Sequence, residues 1–442
     1  MKNFVILCLA IVVSMDFSAQ IDVGGMVKNK VNQRIEQKTN EAIDKTLDET
    51  EEGVKGAAKG NKKSKDKKGK EAETNTENPE EGNEGSEAPA GGAKPTLKTY
   101  GKFDFVPGEK IIVEDNFNHV AIGDFPMEWN TNSGGEVVTV EGKDGKWLQI
   151  SKEGVFMPDY ITDLPENFTM QFDVMVNEDF NYYSGSLDFT FVSASNRQKL
   201  NDYGRFSHPG NAVRIFMHPQ DAGNTNGFVG IQTWDKDGGD LINNTVTTSQ
   251  FFHSTKPMVH VSIWRQKQRL RVYFNEEKVL DIPRAFEATT NYNAMTMCLG
   301  GVHQTQDKYL LSNIRVAVGA PDTRSKLITE GKLVTRGILF DSGSDKIKPE
   351  SYGTLKDIAA VLTENPDVKV QIIGHTDSDG EDAANLELSK KRAAAVKEAL
   401  TKEFQIDASR MQTDGKGETL PTDKNDSSVG KANNRRVEFV KV

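Results

Sequence analysis

Between residues 110 and 318, large apolar side chains recur at every second position in many short runs. The longest run covers residues 168–176, and Leu187, Phe189 and Phe191 repeat the same pattern. A period of two places alternate side chains on one face of a strand. Further short apolar runs, separated by Gly, Asn, Asp and Pro, cover residues 111–113, 137–140, 147–150, 213–217, 258–264, 270–274 and 314–318. Many short strands without helical periods between them predict an antiparallel β-sandwich.

After a short polar connector at 320–331, strand and helix periods alternate. The predicted strands cover residues 334–340, 368–373, 411–414 and 436–440, and the predicted helices cover 349–364 and about 382–403. The core face predicted for the second helix consists of Leu386, Ser389, Ala393, Val396 and Leu400, at spacings of three and four. This order predicts a compact α/β (α+β) domain with helices packed against one face of a mixed sheet.

The first 98 residues are not predicted to form a globular domain. Residues 1–20 resemble a secretory signal: a lysine precedes an apolar run at 4–13 that is too short to span a bilayer. Residues 21–55 carry only a thin apolar stripe, which predicts either a mobile arm or a marginal helix that binds a partner. Residues 56–98 contain no aromatic residue and change from a basic to an acidic run. Such a segment cannot bury enough apolar surface to fold, so we expect a disordered tether.

Charge and cysteine content exclude several functions. The formal net charge is −10, which argues against nucleic acid as the main partner, because phosphate binding needs clustered positive charge. If the leader is removed, Cys298 is the one remaining cysteine, so we expect no internal disulfide and a small buried side chain at this position. No cysteine and histidine cluster has zinc spacing, and no cofactor is predicted.

The most informative stretch lies between the second and third predicted strands of the C-terminal region. An apolar strand ends at Ile373 and a polar turn follows, in which Asp377 lies. Arg392 lies more than two turns into the next helix and borders its core face. One anion and one cation are therefore expected to converge on a shared cleft.

Five blocks of sequence carry a family resemblance. They are Gly374-His375-Thr376-Asp377; Asn385…Leu388-Ser389…Arg392-Ala393; Gly415-Lys416-Gly417-Glu418…Pro421; Asn425…Gly430; and Asn434-Arg435-Arg436-Val437. In this order and spacing they resemble the OmpA-like peptidoglycan-binding domain, over about residues 333–442. The resemblance implies recognition of a diaminopimelate-type stem peptide, whose side chain ends in an ammonium and a carboxylate.

The resemblance also implies a set of binding residues. Those at or around the ligand are Asp377, Arg392, Thr376, Asn385, Phe340, Asp341 and Arg436. Asp377 would accept the ammonium, and the planar fork of Arg392 suits the carboxylate. Asn385 has two open interpretations, a ligand contact or a brace of the turn. His375 has no nucleophile or paired carboxylate at catalytic spacing, so no catalytic residue and no enzymatic activity are predicted.

The β-rich region resembles a second family. The segments 259–264, 270–279 and 311–316 are similar to the concanavalin-A-like jelly roll of the laminin-G type. That resemblance implies a glycan or protein ligand, or a spacer. The acid array of glucan hydrolases with this fold is absent. In the loop 234–240, Asp235, Asp237 and Asp240 are weak calcium candidates, and a solvated loop is the alternative.

Together these patterns predict a signal peptide (1–20), a charged arm and linker (21–98), a concanavalin-A-like sandwich (99–320) and an OmpA-like domain (333–442). The predicted protein is exported to the periplasm, binds peptidoglycan without cleaving it, and associates with the outer membrane or cell wall, with an outer-membrane protein as a possible partner. The alternative is an adhesive or carbohydrate-binding protein in which the jelly roll is the main binding module. A further alternative is a component of a larger envelope machine, docked through the arm.

Overall fold

A computed structural model describes residues 103–204, 210–300, 307–319 and 322–442. These residues belong to one compact unit that spans 92–442. The predicted leader, arm and tether lie outside the described residues. Among the helices described, none has the length and apolar character needed to cross a membrane.

Fifteen strands between residues 110 and 318 form two antiparallel sheets. The eight-stranded sheet contains β1 (Lys110–Asp115), β3 (Gly135–Val138), β4 (Trp147–Ile150), β6 (Asn167–Val176), β11 (Met258–Gln266), β12 (Arg269–Phe274), β13 (Glu277–Ile282) and β15 (Tyr309–Val318). The seven-stranded sheet contains β2 (Trp129–Thr131), β5 (Gly154–Pro158), β7 (Leu187–Val192), β8 (Ala212–His218), β9 (Gly227–Trp234), β10 (Asp240–Thr248) and β14 (Ala294–Leu299). Their orders are β13-β12-β11-β6-β15-β4-β3, with β1 also paired to β15, and β10-β9-β8-β7-β14-β5-β2.

The core of this region lies between the two sheets, so the predicted sandwich is confirmed. Phe172 on β6 and Phe189 on β7 face each other with ring centroids 4.4 Å apart. Phe168 and Phe191 form the next pair at 5.5 Å. The apolar face read from the period of two is therefore the face that the sheets bury against each other.

A four-stranded sheet and three helices form the C-terminal region. The strands are β16 (Lys332–Thr335), β17 (Val370–Gly374), β18 (Met411–Gly415) and β19 (Val437–Lys441), in the order β16-β19-β17-β18. Only the β17–β18 pair is parallel, so the predicted mixed sheet is confirmed. The helices are α1 (Tyr352–Glu364), α2 (Asp382–Phe404) and α3 (Ser428–Asn434). Short helical turns cover Leu200–Tyr203, Ser325–Thr329, Pro349–Ser351 and Ala408–Arg410.

Three predictions for the C-terminal region were wrong in detail. The strand predicted at 334–340 ends at Thr335, because the amides of Gly337 and Leu339 donate to the side chains of Thr335 and Ser351 instead of to a neighbouring strand. Leu386 is 37% exposed instead of buried, because Asn385 and Ser389 form the inward face of α2 at this turn. The predicted connector includes a helical turn whose Leu327 is fully buried in the C-terminal core.

The sandwich and the C-terminal region are in direct contact. Asn433 on α3 exchanges hydrogen bonds with the backbone of Ile111 on β1, at 3.2 and 3.1 Å. Gly353 on α1 lies so close to the Phe105 carbonyl that a Cβ atom at this position would clash with it. These contacts bring β1 and β15 of the sandwich beside the end of β17, where the candidate site lies.

Candidate functional site

The turn after β17 is held between the other C-terminal strands. Gly374 ends the strand, and a side chain there would collide with the Ser389 carbonyl of α2, so α2 crosses β17 at close range. The His375 amide donates to the Arg436 carbonyl at 3.0 Å, and the Thr376 amide donates to the Gly417 carbonyl at 2.9 Å. The turn therefore has a fixed position.

Asp377 is buried in this turn and already has a cationic partner. Its Oδ2 accepts a hydrogen bond from Arg435 Nη1 at 2.5 Å, and its Oδ1 accepts from the Asp379 amide at 3.2 Å. The Asn385 Nδ2 donates to the carbonyls of Asp377 and Asp379, at 3.3 and 3.1 Å, and to Glu418 Oε2 at 2.6 Å. Of the two interpretations of Asn385, these contacts support the brace.

Arg392 is buried on α2 and reaches the loop after β16 instead of Asp377. Its Nε donates to the Ser344 carbonyl at 2.9 Å, and its guanidinium lies 4.9 Å from the ring centre of Phe340. Burial lowers the pKa of Arg392, and the charge of Arg435 lowers it further, while Asp377 and Asp345 oppose both effects. Within the described residues no carboxylate forms an ion pair with Arg392.

The other predicted site residues surround this pair. Arg436 is buried and pairs with Glu438 at 2.8 Å. His375, also buried, has its Nε2 3.5 Å from the same carboxylate. Burial raises the pKa of Glu438, but His375, Lys332 and Arg436 outweigh it and lower the pKa. The remaining two predicted residues are Thr376 and Asp341. The buried hydroxyl of Thr376 has no hydrogen-bond partner among the described residues. The Asp341 carboxylate pairs with Lys346 at 3.3 Å.

Three residues at the site were missed from the sequence. Arg315 of β15 forms a bidentate pair with Glu114 of β1, at 2.7 and 2.8 Å. Glu114 also contacts Arg435 at 3.4 Å. Burial raises the pKa of Glu114, but the two guanidinium groups lower it by more. Arg435 lies in a recognisable sequence block, whereas nothing local in the sequence marks Glu114 or Arg315.

The calcium candidates do not form a metal site. Asp235 Oδ1 accepts hydrogen bonds from the amides of Asp237 and Gly239, both at 2.9 Å. These bonds lower the pKa of Asp235 and stabilise the turn between β9 and β10. Asp240 instead accepts from Gln232. The described residues contain no group of three or more potential metal ligands.

The known proteins that are similar to this chain match its C-terminal region. Residues 339–435 match the OmpA family. The probable lipoprotein YiaD of Escherichia coli (strain K12) is 45% identical over 102 residues, which are 23% of this chain and 46% of the relative. Outer membrane porin F of Pseudomonas aeruginosa is 37% identical over 111 residues, 25% of this chain and 32% of the relative. The chain thus spans less than half the length of these curated relatives.

Solved structures were matched over the same region. The structure of the cell wall anchor of the T6SS from Pseudomonas aeruginosa is 32% identical and covers 25% of this chain and 80% of that chain, with a TM-score of 0.23. A TM-score this low supports no inference about function. The assignment of the C-terminal region rests on the sequence matches.

Proposed function

Because residues 339–435 form an OmpA family domain, we propose that this protein binds peptidoglycan non-covalently through that domain. The ligand group is the side chain of a diaminopimelate-type stem peptide, which carries one ammonium and one carboxylate. One observation carries the proposal: a buried carboxylate, Asp377, and a buried guanidinium without a carboxylate partner, Arg392, lie near the same turn. A ligand with both charges complements them.

Each side chain has a separate role in this proposal. Arg392 receives the ligand carboxylate, and the Ser344 carbonyl and the Phe340 ring hold its fork in place beforehand. Asp377 receives the ammonium, and its contact with this group replaces part of its interaction with Arg435. Each charge-assisted hydrogen bond contributes about 1.5–3 kcal/mol net. The proposal contains no covalent step, so binding leaves the polymer intact.

The relatives support a place in the cell envelope. Two of them are named an outer membrane porin and a probable lipoprotein. We propose that this protein lies in the periplasm and links the cell wall to the outer membrane, directly or through an outer-membrane protein partner. Many weak contacts with one polymer raise the effective concentration of sites, so a low affinity for one stem peptide is sufficient.

The sandwich has a less specific role in the proposal. We propose that it is a concanavalin-A-like module within residues 99–320, beside an OmpA-like module within 333–442. The alternative, a main binding role for the sandwich, requires exposed aromatic side chains that stack on sugars. Among the described residues, Tyr182 and Tyr183 are the exposed large aromatic side chains. These two side chains meet that requirement only at one place in the sandwich, whereas the family match lies in the C-terminal region, so the proposed function rests on the C-terminal site.

Co-sedimentation with purified sacculi tests the proposal. The full chain should sediment with sacculi and release no soluble muropeptides over time. Asp377→Asn and Arg392→Lys should each reduce the bound fraction strongly, because each removes one charge or the bidentate fork. Arg269→Lys is the matched control, because this arginine forms a bidentate pair with Asp281 on the sandwich. Equal binding by all four proteins, or steady release of muropeptides, would contradict the proposal.

A further inference from the structure

A cavity of about 150 Å³ lies between the sandwich and the C-terminal domain. Arg392, Phe340 and His375 line it from the C-terminal domain, and Arg315 of β15 lines it from the sandwich. A second, larger cavity between the same two regions shares Arg315 and Lys348 with the first. The sandwich therefore supplies part of the wall around the site proposed for the stem peptide.

This cavity has an excess of positive charge. Six cationic side chains line it: Arg315, Arg336, Lys348, Arg392, Arg435 and Arg436. Three carboxylates pair with them, namely Glu114, Asp377 and Glu438. Within the described residues, Arg336, Lys348 and Arg392 form no ion pair, so three positive charges lack a carboxylate partner. Positive charges enclosed together are costly unless an anion compensates them.

Two of the unpaired cations, Arg336 and Arg392, are held in place by backbone carbonyl groups. Arg336 donates to the carbonyls of Asn433 and Glu109, at 3.0 and 2.7 Å. Burial lowers the pKa of Arg336, and the charge of Arg436 lowers it further. Carbonyl groups orient such guanidinium groups but do not cancel their charge. The site is therefore preorganised for a negatively charged occupant.

His375 gives a second, independent indication of an occupant. It lines the cavity with 3% of its surface exposed, and its Nδ1 has no hydrogen-bond partner among the described residues. A buried ring nitrogen without a partner destabilises the fold. A ligand with hydrogen-bonding groups in the cavity would satisfy this atom.

We propose that the cavity binds a second carboxylate of the stem peptide. Its specificity-determining residues are Lys348, which has no carboxylate partner, and Arg315, which lines the cavity while it is also paired with Glu114. The inference rests on the proposed function, in which Arg392 receives the first carboxylate. A peptide that ends in diaminopimelate carries a carboxylate on its side chain and an α-carboxylate on its main chain. The sandwich then takes part in peptidoglycan recognition, because Arg315 forms one wall of the cavity.

Calorimetric titration of the full chain tests this inference with two synthetic stem peptides. One ends in diaminopimelate with a free α-carboxylate, and the other has that carboxylate amidated. Lys348→Met and Arg315→Met should each weaken binding of the free acid by roughly tenfold, the equivalent of one charge-assisted contact. Lys348→Met should leave binding of the amidated peptide unchanged, because that peptide lacks the group that this side chain contacts. Arg315→Met also releases Glu114, which contacts Arg435, so only its additional loss with the free acid supports the inference.

The controls are an exposed lysine of α1 and an arginine of the sandwich. Lys356→Met and Arg269→Met remove one positive charge each, and neither residue lines the cavity. Both should bind the free acid as the unmodified protein does. Inorganic phosphate, added as a competitor, should displace the peptide weakly, because it offers no ammonium to Asp377.

Three other outcomes would contradict the inference, and one of them would also contradict the proposed function. If binding depends on Asp377 but not on Lys348 or Arg315, the inference is wrong and the proposed function stands. Tighter binding by Arg315→Met would mean that the sandwich blocks the site, which also overturns the inference. If the unmodified protein binds neither peptide, the proposed function is wrong, and the inference is wrong with it.

Discussion

At the scale of single residues, stability and binding are linked at the candidate site. Arg392 was expected to border the helix face, but it is buried and donates to the carbonyls of Ser344 and Asp341. Its removal leaves the Ser344 carbonyl without this donor, whereas the Asp341 carbonyl still accepts from the Ser344 amide. An unsatisfied buried polar group costs about 1–3 kcal/mol. Asp377 is similar, because its loss leaves Arg435 without its nearest carboxylate.

We therefore predict that Arg392→Ala lowers both the free energy of unfolding and binding to sacculi, while Arg392→Lys mainly affects binding. Lysine keeps the charge and part of the packing on Phe340, but it cannot form a bidentate contact. Denaturant unfolding of both variants measures the stability, with an expected loss of about 1–3 kcal/mol for alanine. Unchanged stability of Arg392→Ala would show that the carbonyl contacts contribute little.

A buried pair in the sandwich predicts a pH dependence of stability. His260 Nδ1 lies 2.7 Å from Asp173 Oδ1, and Lys348 and Glu350 of the C-terminal domain lie nearby. Burial lowers the pKa of His260, but the hydrogen bond and charge of Asp173 outweigh burial and raise it. Burial raises the pKa of Asp173, but His260 outweighs it and the pKa is lowered.

A raised histidine pKa stabilises the fold below the unfolded value of about 6.5, and the contribution is lost as the pH rises through the folded value. The lowered pKa of Asp173 contributes stability above about 3.9, which is lost as the pH falls through its folded value. The melting temperature should therefore fall as the pH rises above about 6.5 and through the raised pKa of His260. His260→Asn should show a smaller fall over this range, and an equal fall in both proteins would contradict the assignment.

At the scale of elements, the sequence predicts a helix or strand well where its apolar residues follow a single regular period. Helix α2 was predicted at about 382–403 and lies at Asp382–Phe404, because its apolar face repeats regularly over many turns. Strand β10 (Asp240–Thr248) was missed, because this edge strand is mostly exposed and carries polar residues on both faces. Helix α3 was also missed, because Ser428–Asn434 is short and polar.

The crossing of α2 over β17 gives a prediction at this scale. Gly374→Ala should destabilise the protein by about 1–3 kcal/mol, because the new methyl group collides with the Ser389 carbonyl. It should also reduce sacculus binding, because it shifts the helix that carries Arg392. Gly134→Ala is the control, since only the distant end of the Lys152 side chain lies near that position. Equal melting temperatures for both variants would contradict the close crossing.

At the scale of the whole molecule, the contact between the two regions was not predictable from the sequence. Glu114 and Arg435 are 321 positions apart, and a long-range ion pair leaves no local pattern. In the sequence argument the partner of Asp377 was the ammonium of the ligand, so the internal partner Arg435 was overlooked. The family resemblance identified the turn after β17 and helix α2. The part of the cavity wall that the sandwich supplies could be found only from the structure.

Gly353 is the most direct point at which to test this contact. Gly353→Ala forces the Phe105 segment away from α1, because a Cβ atom cannot fit beside the Phe105 carbonyl. We predict a loss of about 1–3 kcal/mol and a melting curve in which the two regions separate into distinct transitions. A single transition at an unchanged temperature would show that the two regions do not stabilise each other at this position.

The central claim is that Asp377 and Arg392 together recognise one ammonium and one carboxylate on the same side chain. Titration of the full chain with two stem peptides tests it most directly, one ending in diaminopimelate and the other in lysine, which lacks the side-chain carboxylate. The account predicts that the lysine peptide binds roughly 30-fold more weakly, from a loss of about 2 kcal/mol or more. In Arg392→Lys the difference should shrink, because the fork that reads the carboxylate is gone. Equal affinity of the unmodified protein for both peptides would contradict the claim.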